Sequence, residues 1–178
     1  YTANEKVQTL EIVLKDVQEA FYVHLLYGVF EEHDVITRAV RIENRMEHSA
    51  ELLKVMSFGI DFAHSGYDLL HFHGKHMGER QLERGRLMHG ITELRSTRGA
   101  FSHQKNPFVI LAEEETTERQ GLCYGFALLY SGGFRLQAEV DPFDQTRLVM
   151  GLDDEDFRWV LPPKESFIAP ETVMCCSS

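Results

Sequence analysis

Apolar and polar residues alternate with a period of two along most of this chain, the pattern of strands with one face buried. In residues 9–14, Leu10, Ile12 and Leu14 fall on one side and Glu11 on the other, which predicts a half-buried strand. Residues 21–30 repeat the pattern with Phe21, Val23, Leu25 and Tyr27, and Lys15-Asp16 supplies the turn between the two runs. After a charged bend at 31–34, residues 35–44 place Ile36, Val40 and Ile42 on one face, with Arg38 sharing it. Three such runs in succession predict an antiparallel meander.

Residues 49–62 fit two periods. Leu52, Leu53, Met56 and Ile60 suit a helix, whereas Leu52, Met56, Phe58, Ile60 and Phe62 suit a strand, and Gly59 with the phenylalanines favours the strand. Residues 67–72 form another short element. Residues 79–108 then concentrate Arg, Gly and His. Gly85, Gly90 and Gly99 interrupt a stretch otherwise rich in helix formers, which predicts short strands joined by tight turns in place of one helix. In Asn106-Pro107-Phe108, proline holds its predecessor extended and cannot donate to a central ladder. Residues 108–112 read as the next strand and 113–120 as a charged, solvated loop.

Residues 123–130 and 134–140 flank Ser131-Gly132-Gly133 and form the clearest hairpin in the sequence, with glycine supplying a positive φ at the turn. Phe134, Leu136, Ala138 and Val140 point inward there, and Arg135, Gln137 and Glu139 outward. Asp141-Pro142-Phe143-Asp144 turns into residues 146–152, where Leu148 and Met150 share a face. Short strands at 157–161, 166–168 and 172–176 are set apart by Pro162-Pro163 and Pro170. About a dozen short strands at this spacing make an all-β fold, an antiparallel sandwich or a barrel.

Composition narrows the class. A chain of 178 residues is long enough for one domain, 1–178, with a well-buried core, and 43% hydrophobic with 26% charged residues is a globular composition. No apolar run approaches the ~20 residues of a membrane helix. A formal charge of -10 argues against nucleic acid, whose phosphates select a net basic face. The expected partners therefore include neither nucleic acid nor membrane. Cys123, Cys175 and Cys176 are odd in number and lack the spacing of a zinc site or a disulfide framework, which points to a reducing compartment and a cytoplasmic location. Tyr1 follows no start signal, so the chain reads as a piece of a longer protein.

Against this acidic background Arg80, Arg84, Arg86, Arg95 and Arg98 crowd into one segment. An unpaired desolvated guanidinium is costly, so at least two of the five are expected to be held by carboxylates. Together with His103, these arginines are candidates for a junction with another domain. His71-x-His73-x-x-His76 is the most metal-like pattern, because strand residues two apart share a face and zinc needs imidazoles converging at about 2.0–2.1 Å; Asp68 could orient one ring. A partly packed, solvent-exposed histidine cluster is the simpler account, and no metal or cofactor is assigned.

Other constellations are weaker. His89 and His103 have no Ser or Cys in a nucleophile elbow to act upon. Asp153-Asp154-Glu155-Asp156 lacks the glycine and terminal glutamate of a calcium loop and reads as a solvated turn. Trp159, Tyr124, Tyr130 and Phe134 could stack on sugar rings, although single aromatics on alternating strands are core residues first. No pair of carboxylates is singled out for glycosidic chemistry.

The central segment also carries a resemblance. Arg84-Gly85, His89-Gly90, Ser96-x-Arg98-Gly99-Ala100 and Ser102-His103-Gln104-x-Asn106-Pro107-Phe108 run in one order. They are followed by Tyr124-Gly125-Phe126, Tyr130-Ser131-Gly132, Glu139-Val140-Asp141, Glu165-Ser166-Phe167 and Pro170-Glu171-Thr172-Val173-Met174. This series resembles the N-terminal domain of glycoside hydrolase family 36 α-galactosidases over most of the chain, with departures at Phe101, Gly133 and 153–156. The resemblance implies an antiparallel β-supersandwich of the galactose-mutarotase-like kind, with residues 1–178 forming the C-terminal portion of that domain. It further implies a parent that is a retaining α-galactosidase, removing terminal α-galactose from oligosaccharides such as melibiose and raffinose. The catalytic aspartates would lie in a (β/α)8 barrel beyond this chain, and the domain would pack on that barrel and support a homo-oligomer. No catalytic or substrate-binding residue is then assigned here, and the role of the domain is structural. A free-standing carbohydrate-binding module and a histidine-cluster metal-binding protein are the alternatives.

Overall fold

A computed structural model describes residues 7–178, and Tyr1 lies outside them. The first strands are β1 (Gln8–Lys15), β2 (Phe21–Phe30), β3 (Val35–Asn44), β4 (Ala50–Leu52), β5 (Met56–Phe62), β6 (Tyr67–Lys75), β7 (Gly78–Arg86) and β8 (Gly90–Ser96). They are followed by β9 (Lys105–Glu113), β10 (Cys123–Leu128), β11 (Phe134–Val140), β12 (Thr146–Leu152), β13 (Trp159–Leu161), β14 (Ser166–Ile168) and β15 (Thr172–Ser177). All pairings are antiparallel. A nine-stranded sheet runs β1-β2-β3-β15-β10-β9-β6-β7, with β14 beside β3; a four-stranded sheet runs β5-β12-β11-β8; β13 and β4 form a small third sheet. The fold is thus an open antiparallel β-sandwich.

The main core lies between the two larger sheets. Phe134, Leu136, Leu148 and Met150 from β11 and β12 are sealed against Val109, Leu111 and Phe126 from β9 and β10, all at most 1% exposed. A second cluster joins Val40 and Ile42 of β3 to Leu52, Leu161 and Ala169 beneath the small sheet. Alternation decides which residues enter: Phe134, Leu136, Ala138 and Val140 are buried while Arg135, Gln137 and Glu139 between them are not, as the period-two pattern requires.

Residues 123–140 do not form the expected hairpin. β10 pairs with β9 and β15 in the large sheet, and β11 pairs with β8 and β12 in the small one, so residues 129–133 cross from one layer to the other. Neither Gly132 nor Gly133 takes a positive φ. Gly133 is required for close approach, since a Cβ there would sit 2.9 Å from the Ser96 carbonyl oxygen. The real hairpin is β11–β12, where the Asp141 carboxylate accepts from the backbone N–H of Phe143 and Gln145 and Asp144 adopts a left-handed φ of 59°.

The β1-β2-β3 meander forms as expected, but β1 is an uncovered edge. Leu10, Ile12 and Leu14 are 40–56% exposed because neither smaller sheet extends over them. β1 is held by its ladder to β2 and by a polar clamp on the opposite face, where buried His24 meets Glu11 at 2.6 Å and Glu43 at 3.0 Å. Residues 49–62 resolve into two strands of different sheets, β4 and β5, which explains why no single period fitted them. Pro107 sits inside β9, at a register irregularity opposite β6 and just past the last β10 pair at Phe108, so its missing N–H removes no ladder bond.

Asn44 ends β3 on its inward side and is fully buried. Its side-chain amide donates to the carbonyls of His48, Leu161 and Pro162 at 2.9–3.1 Å, and its oxygen accepts from the Met46 N–H at 2.9 Å. One side chain therefore ties the large sheet to both segments of the small third sheet. Removing it strands several backbone groups in a dry environment. Asn44→Ala is expected to lower stability by about 3 kcal/mol in urea unfolding; a loss below about 1 kcal/mol would mean that these carbonyls are readily rehydrated.

Candidate functional site

The outer face of the large sheet, away from the core, is apolar at the β7 end. Leu70 and Phe72 from β6, Ile110 and Ala112 from β9, Cys123 from β10 and Leu82 from β7 line a groove of about 710 Å³. Phe72 stacks on Phe108, with ring centroids 5.9 Å apart, and extends the apolar floor. Residues 116–121 form one wall, and Ser177 and Ser178 close one end. The signal for this face was present in residues 108–112, Phe-Val-Ile-Leu-Ala, which carry no polar residue on either side. A strand apolar on both sides is one that is covered on both sides.

Arg84 fixes the wall. Its Nε donates to Asp68 at 2.7 Å, Nη1 donates to the Thr116 carbonyl at 2.6 Å, and Nη2 donates to the Glu114 carbonyl at 2.9 Å. Thr116 Oγ1 donates across the loop to the Leu122 carbonyl. Gly121, at φ +96°, lets the backbone pass so close that a Cβ would meet Thr116 Cα at 2.7 Å. Arg86 braces the loop from outside, pairing with Glu114 at 2.7 Å and Asp68 at 3.3 Å. Arg84, Arg86, Asp68 and Thr116 are thereby committed to bracing the loop.

The five arginines do not share one face. Arg84 and Arg86 belong to the outside of the large sheet. Arg95 belongs to the outside of the four-stranded sheet, where it pairs with Asp153 at 2.7 Å and Glu155 at 2.9 Å beside Arg135, which holds Glu93 and Asp154. Arg80 is exposed near the β6–β7 turn with φ 55°, and Arg98 is exposed in the 97–104 loop with His103. Three of the five are held by carboxylates, as the desolvation argument required. Asp153, Asp154 and Glu155 likewise serve as counter-ions to Arg95 and Arg135, a role that their spacing did not reveal.

His71 and His73 share a face and both approach Glu83, at 3.5 and 3.9 Å, while His76 lies in the turn beyond β6. Burial, then the nearby Lys105, pushes the His71 imidazole down and favours its neutral form. Among the described residues no group of three or more His, Cys, Asp or Glu side chains is arranged to hold a metal. His89 pairs with Asp144 at the surface. The four aromatics named above are dispersed: Phe134 is core, Tyr124 packs on Phe62, Tyr130 covers Gly132, and Trp159 rests edge-on against Phe167.

Three partly buried aspartates are likewise spent on structure. Asp68, Asp153 and Asp154 are 12–15% exposed at their side chains and each faces an arginine. Fold and site together define an open antiparallel β-sandwich domain with an apolar groove on its outer face. Comparison with known proteins gives its family. The model of the glycosyl hydrolase family 36 N-terminal domain matches residues 1–162, and the chain belongs to that family. It is 50% identical over 177 residues to the bifunctional α-galactosidase/sucrose kinase AgaSK of Mediterraneibacter gnavus, covering 99% of this chain and 19% of that protein. It is 43% identical over 173 residues to the α-galactosidase AgaA of Geobacillus stearothermophilus, covering 97% and 24%. The crystal structure of AgaA superposes with a TM-score of 0.97 at 42% identity, over 100% of this chain and 25% of that one. A variant of AgaA in complex with raffinose superposes with a TM-score of 0.96 at 43% identity, over 100% and 25%. The chain thus spans about a fifth to a quarter of the length of these relatives.

Arg84→Gln is expected to cost about 1–2 kcal/mol, since it leaves loop carbonyls without a charged donor. Amide hydrogen exchange should accelerate at 113–121 and stay unchanged in β11 and β12; an unaltered loop would show that Arg84 is not its anchor. A pH dependence follows from Asp154. Burial raises its carboxyl, but the hydrogen bond and charge of Arg135, with Lys54, outweigh burial and hold it below the ordinary range. A depressed carboxylate contributes stability above its unfolded pKa of about 3.9 and loses it as pH falls through the lower folded value. Arg135→Gln should therefore reduce stability near neutrality and flatten the acid limb below about pH 4, read by urea midpoints across pH; parallel curves for the two proteins would refute the assignment.

Proposed function

We propose that this chain is the non-catalytic N-terminal part of an α-galactosidase that removes terminal α-linked galactose from oligosaccharides of the raffinose kind, in the cytoplasm. Membership in the family carries the reading, together with the relatives four to five times its length that are α-galactosidases. The domain packs on the parent's catalytic (β/α)8 barrel, where the reacting carboxylate pair resides, and supports a homo-oligomer. Two kinds of surface support such a role. The overhanging Leu10, Ile12 and Leu14 of β1 and the apolar groove behind β6 and β9 both favour burial, at roughly 25 cal/mol per Å² removed from water. Arg80, Arg98 and His103, exposed and uncommitted to the loop braces, are the members of the arginine-rich segment best placed to reach a neighbouring domain.

Activity divides the reading cleanly. The parent protein should release galactose from raffinose and from a chromogenic α-galactoside, whereas residues 1–178 alone should give no turnover above buffer. Turnover by the purified 178-residue chain would place reacting carboxylates within it and overturn the division of labour.

A further inference from the structure

The groove has the chemistry of a packing site and not of a small-molecule pocket. Small ligands are oriented by a few convergent polar groups within an apolar cavity. Here Arg84 is spent on Asp68 and three backbone carbonyls and Thr116 Oγ1 on Leu122, so the charged side chains left along the wall are those of the exposed loop, Glu118 and Arg119, and the floor itself carries none. The floor, Leu70, Phe72, Ile110 and Ala112, belongs to strands whose other face is already buried in the core. A sheet with both faces apolar needs a second cover.

Two observations indicate what supplies it. The groove is closed at one end by Ser177 and Ser178, Ser177 being paired with Cys123 on the groove floor, so the last strand of the domain ends at the mouth of the groove. The relatives are four to five times longer than this chain, and the matching family model is that of an N-terminal domain, so most of the parent lies downstream. A segment leaving Ser178 reaches the groove without a long connection, and short connections between packed elements are the rule. We infer that the segment immediately following Ser178 in the parent folds back across the outer face of the large sheet and packs an apolar stripe into the groove between Leu82 and the 116–121 loop. This rests on the reading of the chain as the first part of a longer enzyme. The loop braced by Arg84 and Arg86 then serves as a preformed wall that sets the angle at which the rest of the parent leaves the domain.

The test uses the whole parent with a photo-crosslinking phenylalanine analogue at Leu82, which is 57% exposed on the groove rim and tolerates a bulky substitute. Crosslinked peptides are read by mass spectrometry after mixing light and isotopically heavy protein. The expected result is an intrachain crosslink to residues within about 40 positions after Ser178, the span of a connecting element or two. Crosslinks to later intrachain positions assign the groove to the body of the barrel, heavy–light crosslinks assign it to a second copy, and water-quenched probe alone leaves it open to solvent; each overturns the inference. Hydrogen exchange of residues 108–112 and 116–121 in unsubstituted parent provides a second reading, with slow exchange expected in the wall loop and fast exchange against it. Galactose release from raffinose by the same preparation separates the two claims: an active parent with an open groove sinks only the inference, and an inactive parent with a covered groove sinks only the proposed function.

Discussion

Everything in this domain depends on the dry contact between the inner faces of β11–β12 and β9–β10. Phe134, Leu136, Leu148, Met150, Val109 and Leu111 are completely withdrawn from water, and no other pair of layers reaches that degree of burial. Hydrophobic burial is non-directional, so the contact by itself would tolerate several strand orders. What selects one is the tight crossover at 129–133, which must bring Gly133 against the Ser96 carbonyl for β11 to enter the second sheet beside β8. Packing supplies the energy, and a glycine without side chain permits the path.

Polar residues then decide how the sandwich is finished. Asn44 substitutes for missing strand partners where β3 ends, collecting carbonyls from both sides of the small third sheet. Arg84 does the same for the 113–121 loop, and His24 for the exposed edge strand β1. In each case one side chain satisfies several groups from segments distant in sequence, which is cheaper than ordering a separate partner for each. The acidic balance of the chain is consistent with this use, since carboxylates at Asp68, Glu93, Asp153 and Asp154 are counter-ions to arginines on the two outer faces.

The strongest ion pairs of this domain brace its own loops and strands. Asp68, Asp153 and Asp154 face guanidinium groups, His24 is held between two carboxylates, and the groove behind β9 is apolar. The fold is that of the N-terminal domain of family 36 glycosyl hydrolases, and α-galactosidases match it over about a quarter of their length. Two apolar surfaces stay exposed in this chain, the overhanging β1 and the groove behind β9.

Strand identity was legible from the sequence because alternation at 9–14, 21–30, 35–44 and 134–140 records directly which side chains each pleat turns inward. Ion pairing of the arginines was legible too, because desolvating a guanidinium without a carboxylate is costly wherever it sits. Residues 108–112, apolar at every position, carried the sign of a strand apolar on both faces. Tertiary structure alone decided which strands pair: that residues 123–128 and 134–140 part into different sheets, that β4 and β5 divide, that Arg84 and Arg95 face opposite ways, and that Asn44 is a hub. Period-two patterning reports the orientation of a side chain relative to its own strand and carries no information about the neighbouring strand. Pairing is chosen by the joint burial of surfaces far apart in sequence, and that energy does not exist until the two sheets meet.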